Sequence, residues 1–310
     1  MRPTSKIYIA GHKGMVGSAI EKKLREKGYH NLILRSKSEL DLMNQQAVND
    51  FFKVEQPEYV FFAAAKVGGI QANINELFEF LYNNLVIQNN VIYAAYTNKV
   101  TKFCFIGSSC IYPKESPQPI KEDYLMNGPL EPTNEGYALA KIAGIKLVQA
   151  LNKQYGFNAI CPMPCNLYGP NDSFDLQHSH VLSALVRKHI DAIDSGIPSI
   201  DVLGSGIARR EFMHVYDVAD AVIFMMLNYD KSDVINVGTG YDFTIKELVE
   251  KISFHTGFKG LVNWDASKPN GMLKKCLDVS KITALGFIPK TTIDEGIKEM
   301  IINYKKQKQT

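Results

Sequence analysis

Four side chains with reactive groups lie within residues 107–146. Ser108 follows the apolar run "TKFCFIG", which predicts a strand, and Cys110 comes two residues later. Tyr137 and Lys141 are four residues apart in "GYALAKIAGIK", so a helix there places both on one face. An ammonium beside a phenol favours the phenolate and lowers the pKa of tyrosine. With Ser108 holding a carbonyl oxygen, the set predicts hydride transfer from a nicotinamide to a ketone, with Tyr137 as the proton donor.

The tyrosine–lysine spacing is not specific by itself. The chain has 15 tyrosines, and Tyr304 and Lys308 repeat the spacing in the polar tail "NYKKQKQT". That second pair lacks a serine at the end of a strand. A reductase is indicated by the combination of the strand-end serine, the helical pair and a glycine turn near the N-terminus.

The glycine turn follows the first predicted strand. The β-rich run "KIYIA" leads into "GHKGMVGSAI", in which apolar residues then recur at helical spacing. Gly11, Gly14 and Gly17 allow a tight turn, a close approach of backbone N–H groups to a diphosphate and close packing of helix on strand. A later predicted strand, "EYVFFAAAKVGG" from Glu58, ends in small residues that let a flat cofactor lie close. The pattern predicts a dinucleotide site.

Basic residues favour NADP(H) over NAD(H) as the cofactor. The second predicted strand, "NLILRS", ends at Arg35, where an NAD enzyme usually has an acid that binds the ribose. This chain instead offers Arg35, Lys37 and Lys13, and its first acid after the strand is Glu39. The alternative is that Arg35 and Lys37 are solvated surface charges. We also assign Asp41 to the predicted cofactor site.

The composition predicts a globular protein that binds small molecules. Hydrophobic residues make up 45% and charged residues 22% of the chain, and the net charge of +3 does not indicate a nucleic-acid or membrane partner. No apolar run is long enough to span a bilayer and no signal peptide is visible, so a cytoplasmic location is expected. Reduced thiols and no metal site are expected from the number and spacing of the cysteines. The five are Cys104, Cys110, Cys161, Cys165 and Cys276.

Long motifs make the chain resemble the extended short-chain dehydrogenase/reductase family, whose members act on nucleotide sugars. They include "IAGHKGMVGSAI", "AAAKVGGI", "GSSCIYPK", "LEPTNEGYALAKIAGIKL", "NLYGP", "REFMHV" and "INVGTG". The resemblance implies an α/β fold with a Rossmann-like doubly wound parallel sheet and a smaller α/β substrate domain. The NADP-binding domain is expected over 1–165, with segments near 211–240 returning to it, and the nucleotide-sugar domain over 166–310. Two helices, about 73–98 and 134–154, resemble those that form a four-helix interface in homodimers of this family.

Within the family, the motifs are most similar to those of enzymes that reduce GDP-4-keto-6-deoxymannose at C4 with NADPH and epimerise it at C3 and C5. This resemblance gives the reductase roles to Ser108, Tyr137 and Lys141, and roles in proton exchange to Cys110 and His180. A ketone at C4 acidifies the protons at C3 and C5, so a base on one face and an acid on the other could invert both centres. The resemblance also implies cofactor contacts. They fall on Lys141, Pro164, Asn166, Leu167 and His180.

The residues that the resemblance implies for substrate binding match the family pattern less well. Lys188 and Arg210 match positions that contact the GDP-linked sugar, and two cations suit a diphosphate. Leu203 stands where the family usually has tryptophan, and Asn270 where it has aspartate. A GDP-4-keto-6-deoxy-heptose reduced at C4 without epimerisation is therefore an alternative.

Two further alternatives remain at this stage. One is a 4-epimerase or a 4,6-dehydratase of the same superfamily, although a dehydratase usually carries an Asp-Glu pair where this chain reads "SSCIYP". Net consumption of NADPH would indicate a reductase rather than an epimerase. The other is a non-catalytic NADP-binding regulator, which commonly loses the tyrosine or the lysine that this chain keeps.

Overall fold

The computed structural model describes residues 1–175, 179–267 and 272–308. In chain order the strands are β1 (Ile7–Ala10), β2 (Leu32–Ile33), β3 (Tyr59–Phe62), β4 (Lys102–Phe105), β5 (Ala159–Pro164), β6 (Asn166–Tyr168), β7 (Ser199–Leu203), β8 (Arg209–His214), β9 (Val234–Val237), β10 (Asp242–Thr244), β11 (Leu261–Asp265) and β12 (Lys274–Lys275). The helices are α1 (Met15–Glu26), α2 (Gln45–Glu55), α3 (Ile70–Asn75), α4 (Leu77–Thr97), α5 (Glu135–Tyr155), α6 (Val181–Asp194), α7 (Val215–Asn228), α8 (Ile245–Thr256), α9 (Ser280–Ala284) and α10 (Ile293–Gln307).

The main sheet is parallel, with strand order β2-β1-β3-β4-β5-β9. Every residue of β1 and β4 is buried, as expected of strands covered on both faces. Helix α1 packs on α7, while α2 and α5 pack on α4. Right-handed crossovers place these two groups on opposite faces, which gives the predicted doubly wound α/β fold. The strand order reverses between β1 and β3, where such sheets bind ligands.

A second layer of structure follows β5. Strand β8 is central in a small sheet, where it pairs with β10, β12 and β6. Strands β7 and β11 form a separate parallel pair. Helices α6, α8 and α10 pack on one another around a second apolar cluster, which includes Leu182, Leu185 and Ile252. The bounds of the two predicted domains, 1–165 and 166–310, stay a prediction.

The segment near 211–240 divides between the two sheets. Its first residues belong to β8 in the small sheet, whereas α7 packs on α1 and β9 forms the last strand of the main sheet. The helix expected over 73–98 is also divided. Residues up to Asn75 form α3, and α4 begins at Leu77, because the backbone of Glu76 leaves the helical region. Within the described ranges, no helix is long and apolar enough to cross a membrane.

Candidate active site

The glycine turn connects β1 to α1 at the point where the strand order reverses. Gly11 has φ +83°, and a Cβ there would lie 2.8 Å from the backbone of Ala64, so only glycine fits. A Cβ on Gly17 would lie 2.1 Å from the Gly11 carbonyl oxygen, which explains how closely helix and turn pack. Gly14 is the N-cap of α1 and provides no side-chain cap, and the first turn of the helix has no acid. Its N–H groups are therefore available to an anion such as a diphosphate.

A cleft of about 1710 Å³ extends from this turn along the carboxyl ends of the strands into the second layer. Nearly all of the residues predicted from the sequence line it. They are Gly11, Gly14, Arg35, Lys37, Asp41, Ser108, Cys110, Tyr137, Lys141, Pro164, Asn166, Leu167, His180, Lys188, Leu203 and Arg210. Asn270 lies outside the described residues. The uncapped helix, the glycine cradle and the size of the cleft fit a dinucleotide.

The charged residues expected at the adenosine end do not all point freely into the cleft. Arg35 donates from Nη2 to Glu55 Oε1 at 2.6 Å and from Nη1 to the Leu34 carbonyl oxygen at 2.9 Å. Lys37 is exposed on the cleft wall, and Lys13 is exposed in the glycine turn. Hydrogen bonds from Ser36, and further the charges of Arg35 and Lys13, lower the pKa of Glu39. Lys13 therefore lies at the same end of the cleft as Arg35.

Ser108, Tyr137 and Lys141 come together at the end of β4. Ser108 is half-buried, and its Oγ accepts a hydrogen bond from the Cys110 N–H at 3.3 Å. The phenol of Tyr137 lies close enough to Ser108 for the serine side chain to act on its pKa. Lys141 is buried, and its Nζ lies 5.8 Å from the centre of the Tyr137 ring while donating to the Ile106 carbonyl oxygen at 2.8 Å. The three side chains thus form one constellation, as the sequence predicts.

The electrostatics of this constellation differ from the expectation. Burial raises the pKa of Tyr137, the nearby Cys110 raises it further, and the Ser108 side chain only partly opposes them. Burial also lowers the pKa of Lys141 to about 8. The prediction that the lysine would lower the tyrosine pKa is therefore wrong for this structure, because the ammonium donates to the backbone and both groups are desolvated. A protonated phenol is nevertheless the form that a proton donor needs.

Cys110 lies beside the constellation, and His180 lines the same cleft. Cys110 is half-buried, whereas the other four cysteines are buried. Lys275, which sequence analysis missed, approaches Cys110 with Nζ 3.7 Å from Sγ. His180 is the N-cap of α6, is exposed, and leaves its side chain uncommitted to capping. Asp172 accepts a hydrogen bond from Ser183. Burial raises the pKa of the Asp172 carboxyl, whereas the Ser183 hydrogen bond and the charge of His180 act to lower it.

The remaining predicted residues lie on the small sheet and α6. Asn166 Nδ2 donates to the Glu211 carbonyl oxygen at 2.8 Å, which fixes β6 on β8. Lys188 is half-buried and donates to the Asp201 carbonyl oxygen at 2.7 Å. Burial lowers the pKa of Arg210, and the charge of Glu131 opposes this. Leu203 is 66% exposed at the mouth of the cleft.

No group of three or more His, Cys, Asp or Glu side chains in the described part of the chain is arranged to hold a metal ion. The signal that could have identified Lys275 was present in "LKK", but two adjacent lysines on a strand point to opposite faces. Only the pairing of β12 with β8 decides which of them faces the cleft.

A doubly wound sheet with a glycine turn after its first strand and a serine, tyrosine and lysine at its carboxyl edge defines a short-chain dehydrogenase/reductase of the extended type. The chain belongs to the NAD dependent epimerase/dehydratase family, whose model matches residues 7–238. This confirms the resemblance inferred from the motifs.

Individual relatives are similar over nearly the full chain. A putative GDP-L-fucose synthase 2 from Arabidopsis thaliana is 51% identical over 299 residues, 96% of this chain and 91% of that protein. The crystal structure of a GDP-6-OMe-4-keto-L-xylo-heptose reductase from C. jejuni matches with a TM-score of 0.94, 39% identity and 99% coverage of both chains. MlghC, a GDP-mannoheptose C4 reductase from Campylobacter jejuni with NADP bound, matches with a TM-score of 0.90 and 39% identity, covering 98% of this chain and 99% of that one.

Proposed function

We propose that this protein is an NADPH-dependent oxidoreductase that reduces the C4 ketone of a GDP-4-keto-6-deoxy sugar and epimerises the sugar at C3 and C5. The observation that carries the proposal is the meeting of Ser108, Tyr137, Lys141 and Cys110 in one cleft, beside a glycine turn suited to a diphosphate. The similarity to a GDP-L-fucose synthase over 96% of the chain supports it.

The cofactor is NADP(H), which the N-terminal turn of α1 would hold by its diphosphate. Lys37 and Arg35, with Lys13 near them, provide positive charge for a phosphate on the adenosine ribose. Lys141, on α5 beside the end of β4, would hold the nicotinamide ribose by its ammonium. When bound, NADPH supplies the hydride for the ketone carbon.

Tyr137 is the acid of the reduction. Ser108 donates a hydrogen bond to the ketone oxygen and holds it beside the phenol, and Tyr137 then gives its proton to that oxygen as negative charge develops. The raised pKa of Tyr137 keeps the phenol protonated before the reaction. The Ser108 side chain, which acts to lower the pKa of Tyr137, stabilises the phenolate that is left.

Cys110 and His180 exchange the protons at C3 and C5. Cys110 removes a proton, so that an S–H bond forms, the C–H bond breaks and its electron pair moves into the enolate of the C4 ketone. His180 returns a proton to the opposite face of the same carbon, which inverts it. The position of Cys110 beside Tyr137 supports this role, because the carbons to be exchanged are the neighbours of the ketone carbon.

The GDP part of the substrate would lie along α6 and β8. Lys188 and Arg210 line this end of the cleft and provide positive charge for the diphosphate. We place Leu203 beside the nucleotide. The exposed apolar face of Leu203 suits a contact with a base or a sugar ring.

A GDP-4-keto-6-deoxy-heptose is the second candidate substrate. The observation that favours it is the match, at a TM-score of 0.94, to a reductase of a GDP-4-keto heptose. In this case C4 reduction is the whole reaction, and Cys110 and His180 would only line the cleft.

Turnover with the two sugars distinguishes the candidates. The purified protein is supplied with NADPH and either GDP-4-keto-6-deoxymannose or a GDP-4-keto-6-deoxy-heptose, and kcat/KM is measured from the oxidation of NADPH. A higher kcat/KM for the hexose supports the first candidate, and a higher value for the heptose supports the second. Failure to oxidise NADPH with either sugar would reject both.

The protein is further proposed to form a homodimer in the cytoplasm. Exposed apolar side chains on α4 and α5, among them Leu77, Phe78, Tyr82 and Leu139, provide a surface for a second copy. All five cysteines are free, which suits a reducing compartment.

A further inference from the structure

Lys275 lies beside Cys110, the half-buried cysteine of the cleft. Its Nζ is 3.7 Å from Cys110 Sγ, within reach of a hydrogen bond to sulfur, and both residues line the cleft. Cys110 is half-buried, whereas Cys104, Cys161 and Cys276 are buried among other side chains. An ammonium at this distance stabilises negative charge on the sulfur.

The backbone around Lys275 is fixed from two sides. Lys275 pairs with Arg210 where β12 lies parallel to β8. The next residue, Cys276, donates from its N–H to Gln118 Oε1 at 2.9 Å and accepts at its carbonyl oxygen from the Ile120 N–H at 2.8 Å. These bonds join β12 to the loop that follows Cys110, so they fix the position of Lys275 relative to Cys110.

Lys274, the neighbour of Lys275 on β12, is an ordinary surface charge. Lys274 is exposed and lies 3.0 Å from Asp242 Oδ2, in an ion pair. Lys275 is half-buried, and within residues 1–175, 179–267 and 272–308 no carboxylate lies at ion-pair distance from it. Its charge is directed to the cleft and to Cys110.

We propose that Lys275 is a positioning residue for Cys110 in the exchange of protons at C3 and C5. It donates a hydrogen bond to Sγ, stabilises the thiolate that removes the proton, and holds the sulfur toward the cleft. The inference rests on the proposed function for its substrate, but the effect on the sulfur does not depend on any substrate.

The first test measures the reactivity of the thiol directly. The intact protein is treated with iodoacetamide at one fixed pH, and the alkylation rate of the Cys110 peptide is followed by mass spectrometry. Lys275→Met should slow alkylation about tenfold, since it removes a charged hydrogen bond to the nucleophile. Lys275→Arg should retain much of the wild-type rate, and Lys274→Met, the matched control, should retain all of it. Cys110→Ser identifies the labelled peptide.

Equal alkylation rates in wild type and Lys275→Met would overturn the proposal. Circular dichroism and NADPH binding establish that each variant is folded, and if Lys275→Met does not fold, Lys275→Gln replaces it. The alkylation test stands even if no GDP-keto sugar is turned over, so failure of this inference and failure of the proposed function are distinguishable.

The second test uses the substrate. In deuterated water with GDP-4-keto-6-deoxymannose, Lys275→Met should lower the ratio of deuterium incorporation to C4 reduction by about tenfold or more. A structural role alone would lower both rates together. If Lys275→Met raised KM but left that ratio and the alkylation rate unchanged, Lys275 would bind the substrate rather than position Cys110, and the proposal would be wrong.

Discussion

Lys141 donates a hydrogen bond from Nζ to the carbonyl oxygen of Ile106, 2.8 Å away. This bond joins α5 to the chain leaving β4, two residues before Ser108. Because Tyr137 lies one helical turn before Lys141, the same bond sets the position of the phenol against the serine hydroxyl. The lysine is thus a structural anchor of the site as well as a charge beside the phenol.

Replacing Tyr137 by Phe should reduce C4 reduction by about 10²- to 10⁴-fold, because the proton donor is lost while the ring remains. The measurement is kcat for NADPH oxidation with the preferred GDP-4-keto sugar. NADPH binding, followed by fluorescence titration, serves as the control for an intact cofactor site. Full activity in Tyr137→Phe would remove Tyr137 from the mechanism.

Lys141→Met should change how stability depends on pH. Burial lowers the pKa of Lys141 from 10.5 to about 8, so between these values the unfolded chain binds more protons than the folded chain. The free energy of unfolding therefore rises with pH across this window, by roughly 3 kcal/mol for a pKa shift of this size. In Lys141→Met this rise should disappear from urea-unfolding free energies measured from pH 8 to pH 10.5. Parallel curves for wild type and variant would contradict the lowered pKa.

Lys37→Ala should weaken NADPH binding about tenfold while leaving NADH binding nearly unchanged, since only NADPH carries the additional phosphate. Lys53→Ala is the matched control, because Lys53 is an exposed lysine on α2 that does not line the cleft. Dissociation constants for both cofactors are measured by isothermal titration calorimetry. An equal loss for NADPH and NADH would show that Lys37 does not recognise the phosphate.

Phe78→Glu should convert the proposed dimer into a monomer. Phe78 is 67% exposed on α4 and stacks on Tyr82 with ring centres 5.2 Å apart, which forms an apolar surface beside α5. A carboxylate there would be buried without a partner in the dimer. Sedimentation velocity measures the mass, and Phe254→Glu is the control, since Phe254 is 80% exposed on α8. A dimeric Phe78→Glu protein would exclude this face as the interface.

The fold could be predicted because strand, glycine turn and helix follow one another with clear periodicity. Strand β5 is the instructive exception, since Pro162 and Pro164 are atypical of an inner strand. The last paired residues of β4 and β5 are Cys104 and Ile160. Pro162 and Pro164 lie beyond this pair, where β4 has ended, so the N–H groups that prolines lack are not needed for pairing with β4. The Pro162 carbonyl oxygen still accepts from the Gly107 N–H at 2.9 Å.

The residues of the site could be predicted from motifs, but their electrostatics could not. The spacing of Tyr137 and Lys141 places them on one helix face, yet it gives no information on burial, which raises one pKa and lowers the other. Nor could spacing reveal that Arg35 pairs with Glu55, 20 residues further along the chain. The position of Lys275 in the cleft depends on the pairing of β12 with β8, two strands distant in sequence, and no local sequence pattern predicts that pairing.

The proposed function requires that one cleft both reduces a ketone and exchanges the protons beside it. The most direct measurement is NMR of the product formed from GDP-4-keto-6-deoxymannose and NADPH in deuterated water. The expected product is a sugar reduced at C4 with deuterium at C3 and C5. An unreduced sugar, or a reduced sugar with no deuterium at either carbon, would contradict it.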